Sequence, residues 1–225
     1  MISTGYATWI YRILVLVAIG LSVWWLAAQY VDRQMNRIQT NVLLTHSALE
    51  EELRRIVSAS PREMADWNPS LRPLVDACPA DAQSLFDRGL ANLDSIDSSA
   101  EIQALLSYFD RCATQFAHVQ LARGLLVRSL LPSYEMVTDL LHEAESLEMV
   151  VEDWTTYADI VTELGLVYVS LYEIQRELIE LRGKGATGSD ESVRTLLSNV
   201  TAKREGAEVL RQQEQLLRTR LIDKP

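Results

Sequence analysis

The apolar positions Val31, Met35, Ile38, Val42, Thr45, Leu49, Leu53 and Ile56 recur at steps of 4, 3, 4, 3, 4, 4 and 3 residues, close to the 3.5-residue average of a heptad repeat. The spacing predicts one helix carrying a stripe that faces a partner and ending near Ser60-Pro61. Upstream, Ile13 to Val31 is nineteen residues without a charge, about 28 Å as a helix and so long enough to span a hydrocarbon core. Arg12 bounds this run on one side, Asp32 and Arg33 on the other. Trp9, Tyr11, Trp24, Trp25 and Tyr30 sit near its ends, where amphipathic rings favour a membrane interface. A cleaved signal peptide fits less well, because the run is long and Leu26-Ala27-Ala28 puts Leu where a small residue is wanted. The pattern therefore predicts a short tail (1–12), a single transmembrane anchor (13–31) and a juxtamembrane helix (32–60).

Four of the six prolines, Pro61, Pro69, Pro73 and Pro79, fall within nineteen residues. Proline lacks an amide donor and restricts its predecessor, so 61–80 is expected to be an extended connector, with Trp67 packed on the helices. Asp81 to Leu93 reads as a helix, and Asp94-Ser95-Ile96-Asp97-Ser98 as a turn. Ser98 and Glu101 then form an S-x-x-E capping box that starts the next helix near Ser99. That helix carries Ile102, Leu106, Phe109, Phe116, Val119, Leu126 and Leu130 to Pro132, where the lost hydrogen bond and ring clash predict a kink or break and make Pro132 the expected hinge. Beyond it Leu147, Val150, Trp154, Tyr157, Val161, Leu164, Tyr168, Leu171, Ile174, Leu178 and Leu181 keep helical spacing to Arg182, weakened only by Gly165. Gly183 to Ser189 breaks this run and Asp190 can cap a last helix, about Asp190 to Ile222. There Val193, Leu196, Val200, Ala207, Leu210, Leu217 and Leu221 lie near heptad positions, with Lys203 and Glu214 as polar interruptions.

The two cysteines, Cys78 and Cys112, are equidistant from residue 95 in the predicted turn. In an antiparallel hairpin such positions lie at one level, which brings the thiols together and predicts a disulfide. A loop of about 35 residues closed in this way stabilises by about 3 to 4 kcal/mol on the chain-entropy account. Two free thiols packed as small hydrophobes are the alternative. A metal site is not expected, since no third or fourth ligand accompanies the pair.

The predicted architecture is thus all-α: an N-terminal transmembrane helix, a helical hairpin (81–131) held by Cys78-Cys112, and a long antiparallel coiled-coil hairpin (132–225) turning at 183–190. Charge supports the last fold-back. Residues 129–175 hold ten acidic side chains and no Lys or Arg, whereas 181–225 hold nine basic against six acidic. Opposite fields favour pairing and set its direction, while each exposed ion pair adds only about 0 to 1 kcal/mol.

The 225 residues are 48% apolar with 23% charged, enough for a core, and 21 Lys and Arg against 31 Asp and Glu leave a net charge of -10. An acidic chain is a poor binder of phosphate backbones, so nucleic acid is not an expected partner. Catalytic patterns are missing. Gly183 and Gly188 have the spacing of a phosphate loop, but Ser189-Asp190 stands where Lys and a hydroxyl residue are required. His46, His118 and His142 stand apart from any ligand motif, Glu50-Glu51-Glu52 and Glu152-Asp153 read as solvated charge, and Asn199-Val200-Thr201 lies within a predicted helix. No enzyme activity, cofactor or metal is expected.

The stretch from Cys78 through Phe86-Asp87, Leu93-Asp94-Ser95, Glu101 and Phe109-Asp110-Arg111-Cys112 to Phe116-Ala117 resembles a pattern in uncharacterised single-anchor helical envelope proteins of candidate-phylum bacteria. It covers about forty of the 225 residues. The resemblance implies paired cysteines and an envelope location, and implies no activity.

Positive charge flanks the apolar run almost evenly, so the expected orientation rests on the cysteines. A stable disulfide belongs to an oxidising compartment, placing the N-terminus in the cytoplasm and residues 32–225 outside. The expected function is a noncatalytic, membrane-anchored scaffold or adaptor of the cell envelope that touches lipid and binds a protein partner or a second copy through its helices. Two alternatives are an extracytoplasmic sensing subunit with a ligand groove between helices, and a cytoplasmic stalk-like subunit.

Overall fold

Apolar residues at three- and four-residue intervals mark the long helices among the described residues. A computed structural model describes residues 4–67, 78, 84–87, 99–141, 144–188 and 190–223, leaving out the side chains of 4–20, 23, 99 and 144–149. Among the described residues there is no strand. The helices are α1 (Thr4–Ser58), α2 (Pro61–Trp67), α3 (Ser99–Leu140), α4 (Ala144–Gly183) and α5 (Glu191–Asp223), with a helical segment at 84–87 between α2 and α3.

α3, α4 and α5 run antiparallel side by side. Tyr172 stacks on Phe109 and Ile102 approaches Gly183, so the two strips of α3 and α4 descend in register from the turn at residue 141. α5 folds back on α4 as its charge and stripe predict, and Arg220 reaches Asp153 at 2.9 Å. α4 spans 40 residues, about 60 Å of helix, and sets the length of the body. Two glycines let the helices approach: a Cβ on Gly165 would lie 2.9 Å from the Leu121 side chain, and one on Gly124 only 3.1 Å from the Ala158 carbonyl.

Two apolar clusters fill the bundle. One gathers Phe86, Phe109, Cys112, Leu164, Leu171, Leu178, Val193 and Val200. The other joins Leu53, Ile56 and Val57 of α1 to Val127 and Tyr134 of α3, Trp154, Tyr157 and Val161 of α4, and Leu221 of α5. Cys78 and Cys112 are bonded, with Cα atoms 5.4 Å apart, and the bridge sits against the first cluster. Gln175, at a core position of α4, is 99% buried and donates its amide to the Phe86 carbonyl at 3.4 Å, fastening the 84–87 segment to the bundle.

Several expectations change. Among the described residues no helix is long and apolar enough to cross a membrane. This overturns the single-pass anchor, and with it the cytoplasmic N-terminus and extracytoplasmic body.

The helix does not break at Pro132. α3 continues to Leu140 because Tyr134, wholly buried, and Leu130 and Leu131 pin both sides of the proline to α1 and α4. One missing amide bond is offset by that burial. The chain turns instead at Leu141, whose amide bonds the Thr138 carbonyl at 3.0 Å. Pro61 opens a helix rather than an extended connector. Ser60 and Glu63 form a reciprocal capping box, with the Ser60 amide on Glu63 Oε2 at 2.6 Å and the Glu63 amide on Ser60 Oγ at 3.3 Å. Proline at the first helical position gives up only an amide that would be orphaned there. The rest of the connector, the 94–98 turn and the Ser98 cap lie outside the described residues. At the other hairpin, Gly185 takes a positive φ of 87° and the Ala186 amide bonds the Leu181 carbonyl at 3.1 Å, a left-handed helix cap.

Candidate functional site

The stripe on α1 divides into two parts. Leu53 and Ile56 are buried by the later helices, and Leu49 packs beside them. Towards the N-terminus nothing in the described fold covers it: Met35 is 52% exposed, Ile38 56% and Val31 57%. The same heptad extends upstream through Ala28, Trp24 and Leu21 at steps of 3, 4 and 3 residues. Trp24 is 70% exposed and Leu21 also lies open. Of the aromatic residues expected at an interface, Trp25 is exposed on the flank of this line and Tyr30 on the outer face of the helix. Trp9 and Tyr11 have side chains outside the described residues.

In this register Met35 and Val42 occupy a positions and Val31, Ile38 and Thr45 occupy d positions. The flanking g positions are Gln34 and Asn41, and the e positions Asp32, Gln39 and His46. Apart from Asp32 the flanks carry no acidic or basic chain of the kind that normally selects an unlike partner. His46 leaves this face to stack on Tyr134, ring centroids 4.8 Å apart, at the point where α1 enters the bundle.

At the root of the projecting helix a second feature is built from three elements. Arg123 of α3 lies 96% buried; its guanidinium donates to the Ala59 carbonyl at 2.7 Å and to Gln120 at 3.3 Å. Glu214 of α5 stands 4.0 Å from it and accepts from the Tyr157 hydroxyl at 3.3 Å. Arg218 of α5 donates to the Ser58 carbonyl at 3.0 Å, so two arginines cap the last carbonyls of α1. A groove of about 350 Å³ opens here, lined by Arg123, Arg211, Arg218, Glu214 and the apolar Phe116 and Val119 among others. Burial pushes the Tyr157 phenol well above its usual range, with Arg123 and Glu214 acting in opposite directions, and pushes the Tyr134 phenol up to about 12, helped by the nearby Glu50 carboxylate.

A larger cavity of about 590 Å³ lies at the far end of the body between Ile102, Asp110, Tyr172 and Arg176. Four of its polar groups are paired with each other: Tyr172 donates to Asp110 and Arg176 pairs with Glu180 at 3.1 Å. Among the described residues no group of His, Cys, Asp and Glu is arranged to hold a metal ion. Pro132, the expected hinge, belongs to neither site. Trp67 is a partly exposed residue beneath the Arg55 guanidinium, 4.5 Å from its ring.

The Arg123 groove was not foreseen, because Arg123 of α3 and Glu214 of α5, 91 positions apart, converge only after both helices fold on α4. One signal was present: Glu214 interrupts the apolar stripe of α5, and in the structure it faces Arg123. Lys203, the other interruption, is exposed. The chain matches no protein-family model, no curated protein and no solved structure.

Proposed function

We propose that the chain is a noncatalytic helical scaffold that associates through the projecting half of α1, pairing in parallel as a coiled coil with α1 of a second copy. The observation that carries this reading is the heptad line from Leu21 to Thr45, exposed at Leu21, Trp24, Val31, Met35, Ile38 and Thr45 and half-buried at Ala28 and Val42, which continues without a shift of register to Leu49, where the chain's own helices take over its burial. Exposed apolar lines of this length mark association surfaces. A second copy is the occupant favoured by the flanks, since Gln34, Gln39 and Asn41 face their own kind without like-charge repulsion. Association of this kind would place two bundles at one end of a common rod, each free to carry a further partner.

Sedimentation of the full chain tests the reading. The native protein is expected to sediment as a dimer, and the double substitution Met35→Glu with Ile38→Glu as a monomer with unchanged helix content. A native monomer at tens of micromolar, or a dimer indifferent to the double substitution, overturns it.

A further inference from the structure

The geometry points to a second site, independent of the pairing face: we infer that the groove at the root of α1 binds a small oxyanion of the phosphate class. The inference starts from Arg123. A guanidinium 96% buried needs acceptors for its donors and an opposite charge for its own. It has two neutral acceptors, Ala59 and Gln120, while its carboxylate neighbour Glu214 is 4.0 Å away, beyond hydrogen-bonding distance, and its Nε has no acceptor among the described residues. The charge is therefore under-compensated by the protein alone.

The groove beside it adds positive charge where the chain as a whole is acidic. Its lining carries three guanidinium groups, from Arg123, Arg211 and Arg218, against the single carboxylate of Glu214. Glu208 takes one N–H of Arg211 at 3.3 Å, and Arg211 keeps 43% of its side chain exposed. Arginine forks match oxyanions bidentately, and three of them offer more donors than one carboxylate accepts, which favours phosphate. The hydroxyl residues Ser58 and Ser60 on the opposite lip, together with Gln120, supply neutral hydrogen-bond groups. A volume of about 350 Å³ accommodates phosphate with a small organic substituent against Phe116 and Val119.

The ligand would bridge the α1–α2 turn, α3 and α5, three elements joined here by a few hydrogen bonds. Occupancy is thus coupled to the seating of α1 on the body.

Calorimetric titration of the full chain in a phosphate-free buffer tests the site, with inorganic phosphate, glycerol phosphate and succinate as probes. Saturable 1:1 binding of the two phosphates is expected, with Arg211→Gln and Arg218→Gln each weakening it at least tenfold. Arg128→Gln, which removes an arginine paired with Asp159 outside the groove, should leave it unchanged. Arg211 is partly exposed, so its substitution leaves the core intact and separates loss of binding from loss of fold. Absence of saturable binding, equal loss in Arg128→Gln, or tighter binding of succinate than of phosphate each overturns the inference.

Discussion

Single atoms decide how closely the helices of the body approach. Gly124 and Gly165 face their neighbours without room for a methyl group, while Gly206 on α5 meets nothing within 4 Å. Alanine at Gly124 is expected to cost about 1 to 3 kcal/mol through overpacking. Alanine at Gly206 should add about 0.5 to 1 kcal/mol by restricting the unfolded chain and favouring helix. Urea unfolding of both variants measures the contrast, and equal shifts would contradict the close approach. Gly165 looked like a weak point of a long helix in the sequence; packing against Leu121 gives it a purpose that only the neighbouring helix reveals.

Buried phenols set a pH limit at the same scale. Tyr134 ionises at about 12 when folded, against about 10 in an unfolded chain. Its folded value is raised, so its contribution is complete below pH 10 and lost as pH rises from about 10 towards 12. Tyr157 acts in the same direction. The unfolding midpoint is therefore expected to fall above pH 10, and Tyr134→Phe should flatten that fall; a midpoint that rises over this window would exclude the mechanism.

Among the elements, the helical stripes of α4 and α5 were legible almost residue by residue. Trp154, Tyr157, Val161, Leu164, Leu171 and Leu178 are buried as their spacing requires, and so are Val193, Val200, Ala207 and Leu221. The pairing of Cys78 with Cys112 was legible too, from symmetry about one turn. Element ends were read less well, because proline was weighed without its context. Pro61 follows a capping serine and precedes Glu63, which turns a breaker into a starter. Pro132 lies between residues that the core holds on both sides. The Arg123 groove left only Glu214 as a trace, since convergence of α1, α3 and α5 is a tertiary event. The disulfide itself carries a prediction: reduction should lower unfolding stability by about 3 to 4 kcal/mol, as the freed loop of about 35 residues regains entropy. Urea titrations with and without reductant measure it, and an unchanged midpoint in fully reduced protein would show that the bundle holds residue 78 without the bond.

The body buries two apolar clusters while leaving single apolar side chains such as Leu125, Met136 and Leu216 exposed, and a long helix leaves it with a line of exposed apolar residues at heptad spacing. The second apolar cluster seats the base of α1, from Leu49 to Val57, and the heptad above it has no cover among the described residues. Association through that heptad is the central claim, and residue-specific cross-linking tests it most directly. The native thiols are joined to each other, so a single new cysteine reports its own surroundings. With Ile38→Cys, at a d position, oxidation should join two full chains in high yield. With Thr40→Cys, two residues further on the outer face, it should not. Dimers from Ile38→Cys alone are the predicted result; equal cross-linking at both positions, or at neither, would contradict parallel pairing of α1.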